Sequence, residues 1–324
     1  MKMKFLSVMA GILVQLMILN LGWAQEIHIS YPGLTGESAP LWVAKDAGIF
    51  GEYGIDAKLV YMEGGRLSMQ SLLSGTTQFM AGDAVTALTA IAGGADILLL
   101  VSAKNVLPYV FAVAKDIRQP SDLKGKIIAT SQLGGRAGEI ARMVIGTMGL
   151  DPNKDVTYMA VGGTMSRLAA LSTGKVQAAP ISQTVSAVAE ERGFRILEIE
   201  PIPLIIDALW TTRKYANDNP QIIQNVVRSY GRAIATVLRD REKSLKILTK
   251  YMRASDPRVV QSGYEQYIKN LDRVPIPSEK AIQNTLDISR RLAPKLAGID
   301  IKRHLYFGPV ERLSQEGFFE RLYK

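Results

Sequence analysis

The chain has 324 residues, of which 47% are hydrophobic and 21% charged, and its formal net charge is +9. This composition is typical of a soluble globular protein large enough for two lobes, and it excludes a disordered chain or a fibre. The basic residues are scattered singly, which favours a solvated surface over a nucleic-acid interface. Cysteine is absent, which excludes disulfides, thiolate metal sites, a cysteine nucleophile and an acylated cysteine.

The first 24 residues have the pattern of an export signal. Lys2 and Lys4 give a basic start, an apolar run follows over 5–21, and the segment closes on Gly22-Trp23-Ala24. Signal peptidase reads small residues at the first and last of these three positions, so we predict cleavage after Ala24. An uncleaved membrane anchor is the alternative, because the apolar run is near the minimum length that spans a bilayer.

The first elements after the leader predict a strand, a helix and a second strand. Apolar and polar residues alternate over 27–31, and the strand should end at Pro32. Ser38 is the candidate cap of the helix that follows, and Gly48 its left-handed stop. The second strand should cover 55–62, parallel to the first. The intervening loop would then lie at the carboxyl end of the first strand, where open α/β sheets bind ligands.

The same unit recurs along the chain, with a glycine-containing loop before most helices. Further strands are predicted over 77–81, 97–102, 126–130, 156–160, 176–179, 194–199 and 204–212. Helices are predicted over 66–74, 84–92, 136–148, 164–172, 182–191, 220–239, 242–251, 257–269, 278–292 and 310–322.

Several strings in this pattern resemble those of one family. The string Ala39–Phe50, APLWVAKDAGIF, followed by Tyr53-Gly54-Ile55-Asp56, resembles the signature helix of nitrate/sulfonate/taurine-type solute-binding proteins of ABC importers. Similar pieces follow in the same order at Gly64-Gly65, Leu72–Gly75 and Asp122–Ile127. The resemblance implies an α/β, type II periplasmic-binding-protein fold with the ligand in a cleft between two lobes. It also implies a periplasmic location and an importer's permease and ATPase subunits as partners.

We therefore expect the first lobe to comprise residues 25–104 and 204–324, and the second lobe residues 105–203. The chain would cross between lobes near 102–106 and 203–210, and these crossings would form a hinge. We expect a monomer that binds a small molecule and needs neither a cofactor nor a metal.

Helix N-termini from both lobes should face the cleft, where their backbone N–H groups and dipoles favour an anion. The candidate ligand-binding residues are Tyr31, Thr35, Gly36, Gly65, Arg66, Asp83, Ala84, Ser131, Gly134, Arg136, Gly163, Thr164, Ile181, Ser182 and Trp210.

Some of these residues have two interpretations. Arg66 and Arg136 follow Gly-Gly pairs at helix starts, where a guanidinium could hold a carboxylate, sulfonate or phosphonate, or could instead lie in solvent or in a salt bridge. Asp83 could cap its helix or accept a ligand amine. Tyr31 and Trp210 could wall an organic ligand or belong to the core. The two arginines favour a small organic anion; nitrate, sulfonates, taurine, pyrimidines and aromatic acids all stay open as solutes.

Catalytic motifs are lacking. His28 and His304 are the only histidines, and no P-loop, dinucleotide-binding or zinc-protease motif occurs. Ser121-Asp122-Leu123-Lys124 fits Ser-x-x-Lys but lies in a predicted turn. The implied fold family also includes enzymes of thiamine-pyrimidine and menaquinone synthesis, of which the pyrimidine synthases carry a cysteine-rich motif that this chain lacks. We predict that the chain is not an enzyme, and keep such an enzyme or a ligand-presenting sensor as alternatives.

Overall fold

The structure is a computed structural model that describes residues 24–107, 109–130, 136–197, 201–253 and 257–324. Most of the predicted leader lies outside these ranges, as do the candidate residues Ser131 and Gly134. Within the described ranges, no helix combines the length and the apolar composition needed to cross a bilayer.

The described residues hold ten strands: β1 (Gln25–Tyr31), β2 (Ile55–Tyr61), β3 (Phe79–Gly82), β4 (Ile97–Val106), β5 (Tyr109–Val113), β6 (Lys126–Thr130), β7 (Val156–Ala160), β8 (Ala178–Ser182), β9 (Arg195–Leu197) and β10 (Pro203–Thr212). They also hold fourteen α-helices: α1 (Ala39–Asp46), α2 (Ile49–Glu52), α3 (Gly65–Leu73), α4 (Ala84–Ala92), α5 (Arg136–Thr147), α6 (Thr164–Ser172), α7 (Ser186–Glu191), α8 (Arg213–Asp218), α9 (Pro220–Arg239), α10 (Arg241–Met252), α11 (Pro257–Ile268), α12 (Glu279–Leu292), α13 (Gly308–Gln315) and α14 (Phe318–Tyr323). Short 3-10 turns cover Gly36–Ser38, Pro120–Leu123, Gln183–Val185, Pro294–Gly298 and Ile301–His304.

Two five-stranded sheets organise these elements. The first has the order β2-β1-β3-β10-β4, and the second the order β7-β6-β8-β5-β9. In the first, β1 pairs in parallel with β2 and β3, which confirms the predicted parallel unit, while β10 is antiparallel to β3 and β4. In the second, β6 is parallel to β7 and β8. The carboxyl ends of the parallel strands therefore share one edge of each sheet, where loops can form a ligand site.

Helices pack on both sheets and complete the cores. In β1 the apolar side chains of Ile27 and Ile29 are fully buried. Trp42 of α1 is also fully buried, and its ring stacks on that of Tyr251 at 5.1 Å between centroids. The long helix α9 begins at Pro220, whose missing N–H is harmless at the first helical position, and it contacts both α1 and α2.

The start and end of α1 differ from the prediction. Ser38 does not cap α1 through its side chain; its hydroxyl donates instead to the carbonyl of Gly33 at 3.5 Å. The reason is the 3-10 turn before α1, which gives Ser38 a near-helical backbone instead of the extended one of a capping residue. Gly48 has the predicted left-handed backbone, with φ of 74°, but leads into the short helix α2.

The helix expected over 182–191 starts later than predicted. Strand β8 continues to Ser182, because it pairs residue by residue with β5 from Tyr109↔Ser182 onward. A 3-10 turn follows, and α7 begins only at Ser186. The tertiary pairing of the strand therefore overrides the local helix signal.

The two chain crossings predicted as a hinge belong to the longest strands described, β4 and β10. They pair in an antiparallel ladder that aligns Pro203 with Val106 and Asp207 with Lys104. The register is irregular between Pro203 and Asp207, and again between Asp207 and Ala208. Such irregularities bend a strand and interrupt its regular hydrogen bonds.

Candidate functional site

A cavity of about 290 Å³ lies between loops of the first sheet and two residues on the side of the second sheet. On the first-sheet side it is walled by the segments that follow β1, β2 and β3 and by the middle of β10. On the other side Tyr109 begins β5 and Thr164 begins α6. The polar side chains on this wall are Thr35, Glu37, Ser38, Asp83, Tyr109, Thr164 and Asp207.

The loop from β2 to α3 approaches the cavity through two glycines. Gly64 has φ of 85°, a left-handed backbone that favours glycine. At Gly65 a Cβ atom would lie 2.8 Å from the hydroxyl oxygen of Thr86 on α4. Since that distance is too short for a real contact, glycine is what lets α3 start against α4, beside the cavity.

Asp83 ends the loop from β3 and caps α4. Its carboxylate accepts hydrogen bonds from the backbone N–H of Thr86 at 3.1 Å and from the hydroxyl of Thr86 at 3.2 Å. The capping role considered from the sequence is therefore confirmed. The half-buried side chain also lies on the cavity wall.

Asp207 lies on the cavity wall in the middle of β10 and is only 4% exposed. One carboxylate oxygen accepts from the hydroxyl of Tyr230 on α9 at 2.8 Å, and the other from the hydroxyl of Tyr267 on α11. Burial raises the pKa of Asp207 to about 7, and the two hydroxyls act in the opposite direction. Burial also raises the pKa of both phenols.

Lys104 faces Asp207 across the β4–β10 ladder. Its ammonium donates to the backbone carbonyls of Gln266, at 2.7 Å, and Tyr267, at 3.2 Å, and lies 5.3 Å from the centre of the Tyr267 ring. Burial lowers the pKa of Lys104 to about 8, while the charges of Glu37 and Asp207 raise it. The structure thus places a buried ionisable pair beneath the cavity.

On the second-sheet side, the buried guanidinium of Arg167 fixes the loop before α6. It donates to the carbonyl oxygens of Pro180 at 2.8 Å and Gly162 at 2.9 Å, and to the hydroxyl of Thr164 at 3.1 Å. A hydrogen bond also joins Arg167 to the side chain of Tyr109. Arg167 therefore bonds both residues, Tyr109 and Thr164, that line the cavity on the second-sheet side.

The structure brings together four of the candidate residues from the sequence: Thr35, Gly65, Asp83 and Thr164 lie on the cavity wall. Their contact with a ligand stays a prediction. Gly163 is exposed and caps α6 next to the wall. The side chains of Arg136 and Ser182 lie outside the described part of the structure.

Both aromatic candidates lie in the core, the second of the two interpretations that the sequence allows. Tyr31 is 5% exposed and packs its ring edge-on against Trp42 at 5.9 Å, inside the core of the first sheet. Trp210 is 1% exposed, and its indole N–H points to the carbonyl of Gly82 at 3.4 Å. Both side chains project into the core because the pleat of the strands directs them there, although β1 ends beside the cavity and the middle of β10 lines it.

The remaining candidates also lie off the described wall. Ile181 is fully buried in the second sheet's core, and Ala84 lines a small apolar void. Gly36 is buried against α11, where an added Cβ would meet the carbonyl oxygen of Gly263 at 2.9 Å. Arg66 is exposed and is not part of the described cavity wall. Of the residues of α3, only the first, Gly65, lies on the described wall.

Sequence reasoning missed Asp207, Lys104 and Glu37. A signal was present in two of the strands: Asp207 interrupts the apolar run LIIDALW, and Lys104 interrupts the long strand ILLLVSAKNV. A charge inside an otherwise apolar strand indicates a buried partner or a ligand. No group of three or more metal-binding side chains that could hold an ion occurs within the described ranges.

Known proteins resemble this chain in sequence and in fold. YtlA of Bacillus subtilis, named as a binding protein, is 22% identical over 250 residues, which is 74% of each protein. The periplasmic sulfonate-binding protein SsuA of Methylobacillus flagellatus superposes with a TM-score of 0.73 at 18% identity, over 92% of this chain and 96% of that one. The periplasmic aliphatic sulphonate-binding protein SsuA of Escherichia coli gives a TM-score of 0.68 at 21% identity, over 87% and 92%.

These structural likenesses establish the fold, which is the two-sheet α/β fold of periplasmic binding proteins. The family model described as NMT1/THI5 like matches residues 35–244. That segment includes most of both sheets and nearly all of the described cavity wall, so the chain belongs to the NMT1/THI5-like family.

Proposed function

We propose that the chain is the solute-binding component of an ABC importer, which captures a small solute in the cavity between the two sheets. One observation carries this proposal: the cavity is walled by loops of the first sheet and, on the side of the second sheet, by Tyr109 of β5 and Thr164 of α6. A ligand held there touches both halves of the protein at once. Its affinity would come from preorganised polar groups and from water displaced when the halves close.

The two halves would be a first lobe of residues 25–104 and 204–324 and a second lobe of residues 105–203. The irregular β4–β10 ladder supports a hinge at the crossings, because the ladder is interrupted between Pro203 and Asp207. Bending there would close the cavity around a solute.

The names of similar proteins support a role in transport. Two similar structures are named as periplasmic sulfonate-binding proteins. By analogy we propose export to the periplasm with cleavage after Ala24, a monomeric state, and delivery of the solute to a permease driven by an ATPase. We propose binding without chemical conversion, and neither His28 nor His304 lies on the described wall of the cavity.

Thermal unfolding and small-angle scattering test this function together. The protein is unfolded and refolded to remove any bound solute, and then screened against small anions, amines and zwitterions. A solute at 100 times its dissociation constant should add about 2.7 kcal/mol to the free energy of unfolding. The same solute should lower the radius of gyration and be recovered unchanged. Turnover of the compound, or binding with no closure of the lobes, would contradict the proposal.

A further inference from the structure

Helix α12 packs on both halves of the protein. Its residues Ala281 and Leu286 are buried in the apolar core that contains Trp210 of β10. Two residues further on, Ile288 is fully buried in a second apolar core, together with Ile140 of α5. The helix contacts β10 and α4 of the proposed first lobe and α5 of the proposed second lobe. It therefore connects the two lobes physically, in addition to the two chain crossings.

Two side chains of α12 bond the backbone of β10 where the β4–β10 ladder is irregular. The side-chain amide of Asn284 donates to the carbonyl of Pro203 at 3.0 Å. The hydroxyl of Thr285 accepts from the backbone N–H of Ile205, also at 3.0 Å. The ladder is interrupted between Pro203 and Asp207, so backbone groups there need partners other than the neighbouring strand. These two bonds fix α12 to the segment in which we place the hinge.

The C-terminal end of α12 is joined to α5 by an ion pair. The Nε–H of Arg291 donates to one carboxylate oxygen of Glu139 at 2.7 Å. Glu139 is only 8% exposed, whereas the side chain of Arg291 is 50% exposed. Arg142, on the same helix as Glu139, lies farther away, at 3.8 Å from the other carboxylate oxygen. Arg291 therefore forms the shorter of the two ion pairs, and its loss would leave a buried carboxylate poorly compensated.

An apolar contact accompanies this ion pair, close to the solute cavity. Ile288 of α12, Ile140 of α5 and Val85 of α4 line one small void of about 10 Å³. Asp83 and Ile206 line both this void and the cavity. The meeting point of α12 and α5 is therefore beside the space that a solute would occupy. Moving α5 away from α12 would expose the two apolar side chains at this point to water.

We propose that α12 is a clasp that holds the two lobes in the arrangement described, because it is bonded to β10 at the hinge and to α5 across the lobes. The clasp consists of Asn284, Thr285, Ile288 and Arg291. Separating the lobes would break the 2.7 Å bond of Arg291 and expose Ile288, and both changes oppose opening. The inference rests on the proposed function, since a clasp matters only if the lobes move about a hinge.

The clasp sets how much of the solute-free protein is closed. A solute that binds the closed form has an apparent dissociation constant that rises as the closed fraction falls. The clasp would thus contribute to affinity without touching the solute. Weakening it should open the solute-free protein, and this effect can be measured before any solute is identified.

Distances between two spin labels, one on each lobe, test the clasp. The chain has no cysteine, so Gln70→Cys and Lys175→Cys, both at exposed positions, attach the labels selectively to protein made from the full-length chain. The protein is unfolded and refolded to remove any bound solute, and the distances are measured by pulsed dipolar spectroscopy. In this background, Arg291→Gln should raise the fraction of molecules with a longer distance about threefold or more.

Three further variants show whether the effect belongs to the clasp. Asn284→Ala removes the bond to Pro203 and should also raise the long-distance fraction. Arg291→Lys keeps the positive charge and should restore part of the closed population. Arg241→Gln is the matched control, because Arg241 is 54% exposed and pairs at 3.2 Å with Glu265 inside the proposed first lobe. Its distance distribution should equal that of the background protein. Native circular dichroism confirms that each variant is folded.

The outcomes separate the clasp from the proposed function. Unchanged distances in both Arg291→Gln and Asn284→Ala overturn the clasp and leave solute capture untouched, because thermal unfolding tests capture independently. Equal opening in Arg241→Gln and Arg291→Gln also overturns it, since the effect would then not depend on the contact between lobes. If Arg291→Gln alone opens the protein but no compound in the thermal screen binds, the clasp stands and the proposed function fails.

Discussion

The hydroxyl of Tyr230 donates a 2.8 Å hydrogen bond to the carboxylate of Asp207, and so joins the long helix α9 to the middle of strand β10. Tyr267 on α11 donates to the other oxygen of the same carboxylate. Both phenols are buried, so two helices of the C-terminal region position one acidic side chain on the cavity wall.

Tyr230→Phe should therefore destabilise the protein. The change leaves one buried oxygen of Asp207 without its donor, which should lower the free energy of unfolding by about 1–3 kcal/mol in urea titrations. Tyr251→Phe is the control, because the hydroxyl of Tyr251 donates to Asp46 at an exposed site. This control should lower the free energy of unfolding clearly less than Tyr230→Phe does. Equal losses in the two variants would show that the buried carboxylate does not depend on Tyr230.

The dependence of stability on pH should reflect Asp207. Its pKa rises from 3.8 to about 7 on burial, so the folded chain keeps a proton that the unfolded chain loses between about pH 4 and pH 7. The stabilising effect of this proton is complete below about pH 4 and disappears as the pH rises through 7. The free energy of unfolding should fall by about 2–4 kcal/mol across the window. Lys104 stays charged there, because its pKa is about 8.

The measurement is urea unfolding of the wild type and of Asp207→Asn at pH 5 and pH 7, where Lys104 is charged. The stability of the wild type relative to the variant should be higher at pH 5, because the variant cannot gain or lose this proton. Parallel pH profiles would mean that Asp207 is ionised throughout.

Gly65→Ala should disturb the contact between α3 and α4. An added Cβ would lie 2.8 Å from the hydroxyl oxygen of Thr86, and overpacking of this kind costs about 1–3 kcal/mol. The melting temperature should fall by several degrees. Gly51→Ala is the control: an added Cβ there meets nothing within 4 Å and the site is helical, so it should be neutral or slightly stabilising. An unchanged melting temperature for Gly65→Ala would refute the close approach.

Arg167→Lys should loosen the loop before α6. A lysine cannot reproduce the guanidinium fork, so the carbonyls of Pro180 and Gly162 would lose donors, at a cost of about 2–4 kcal/mol. Hydrogen exchange should speed up over residues 162–166 more than elsewhere in the second sheet. Arg192→Lys is the control, because Arg192 is exposed, and it should leave the rate of hydrogen exchange over residues 162–166 unaltered. Unchanged protection at 162–166 in Arg167→Lys would show that the backbone alone holds the loop.

The sequence predicted the elements well where glycine, proline and apolar periodicity agree. The bounds of α4, β6, β7, α6 and α9 match the expected ones residue for residue. The cavity wall was predicted less completely, because a loop's position at a strand end does not determine where its side chains point. Tyr31 and Trp210 show this: both lie on strands that border the cavity, and both face the core. The pairing of Asp207 with Lys104 depends on strands that are adjacent only in the folded sheet.

Strand β10 lies between β3 and β4 in the first sheet, although about a hundred residues separate it from β4 in the chain. The strands of the second sheet, by contrast, lie in one uninterrupted stretch between Tyr109 and Leu197. During synthesis or export from the N-terminus, the second sheet can therefore pair before the first is complete. Until residue 212 emerges, β3 and β4 each have an unpaired edge that can bind other chains. We expect chains truncated before β10 to aggregate, and the slow step of folding to be the insertion of this strand.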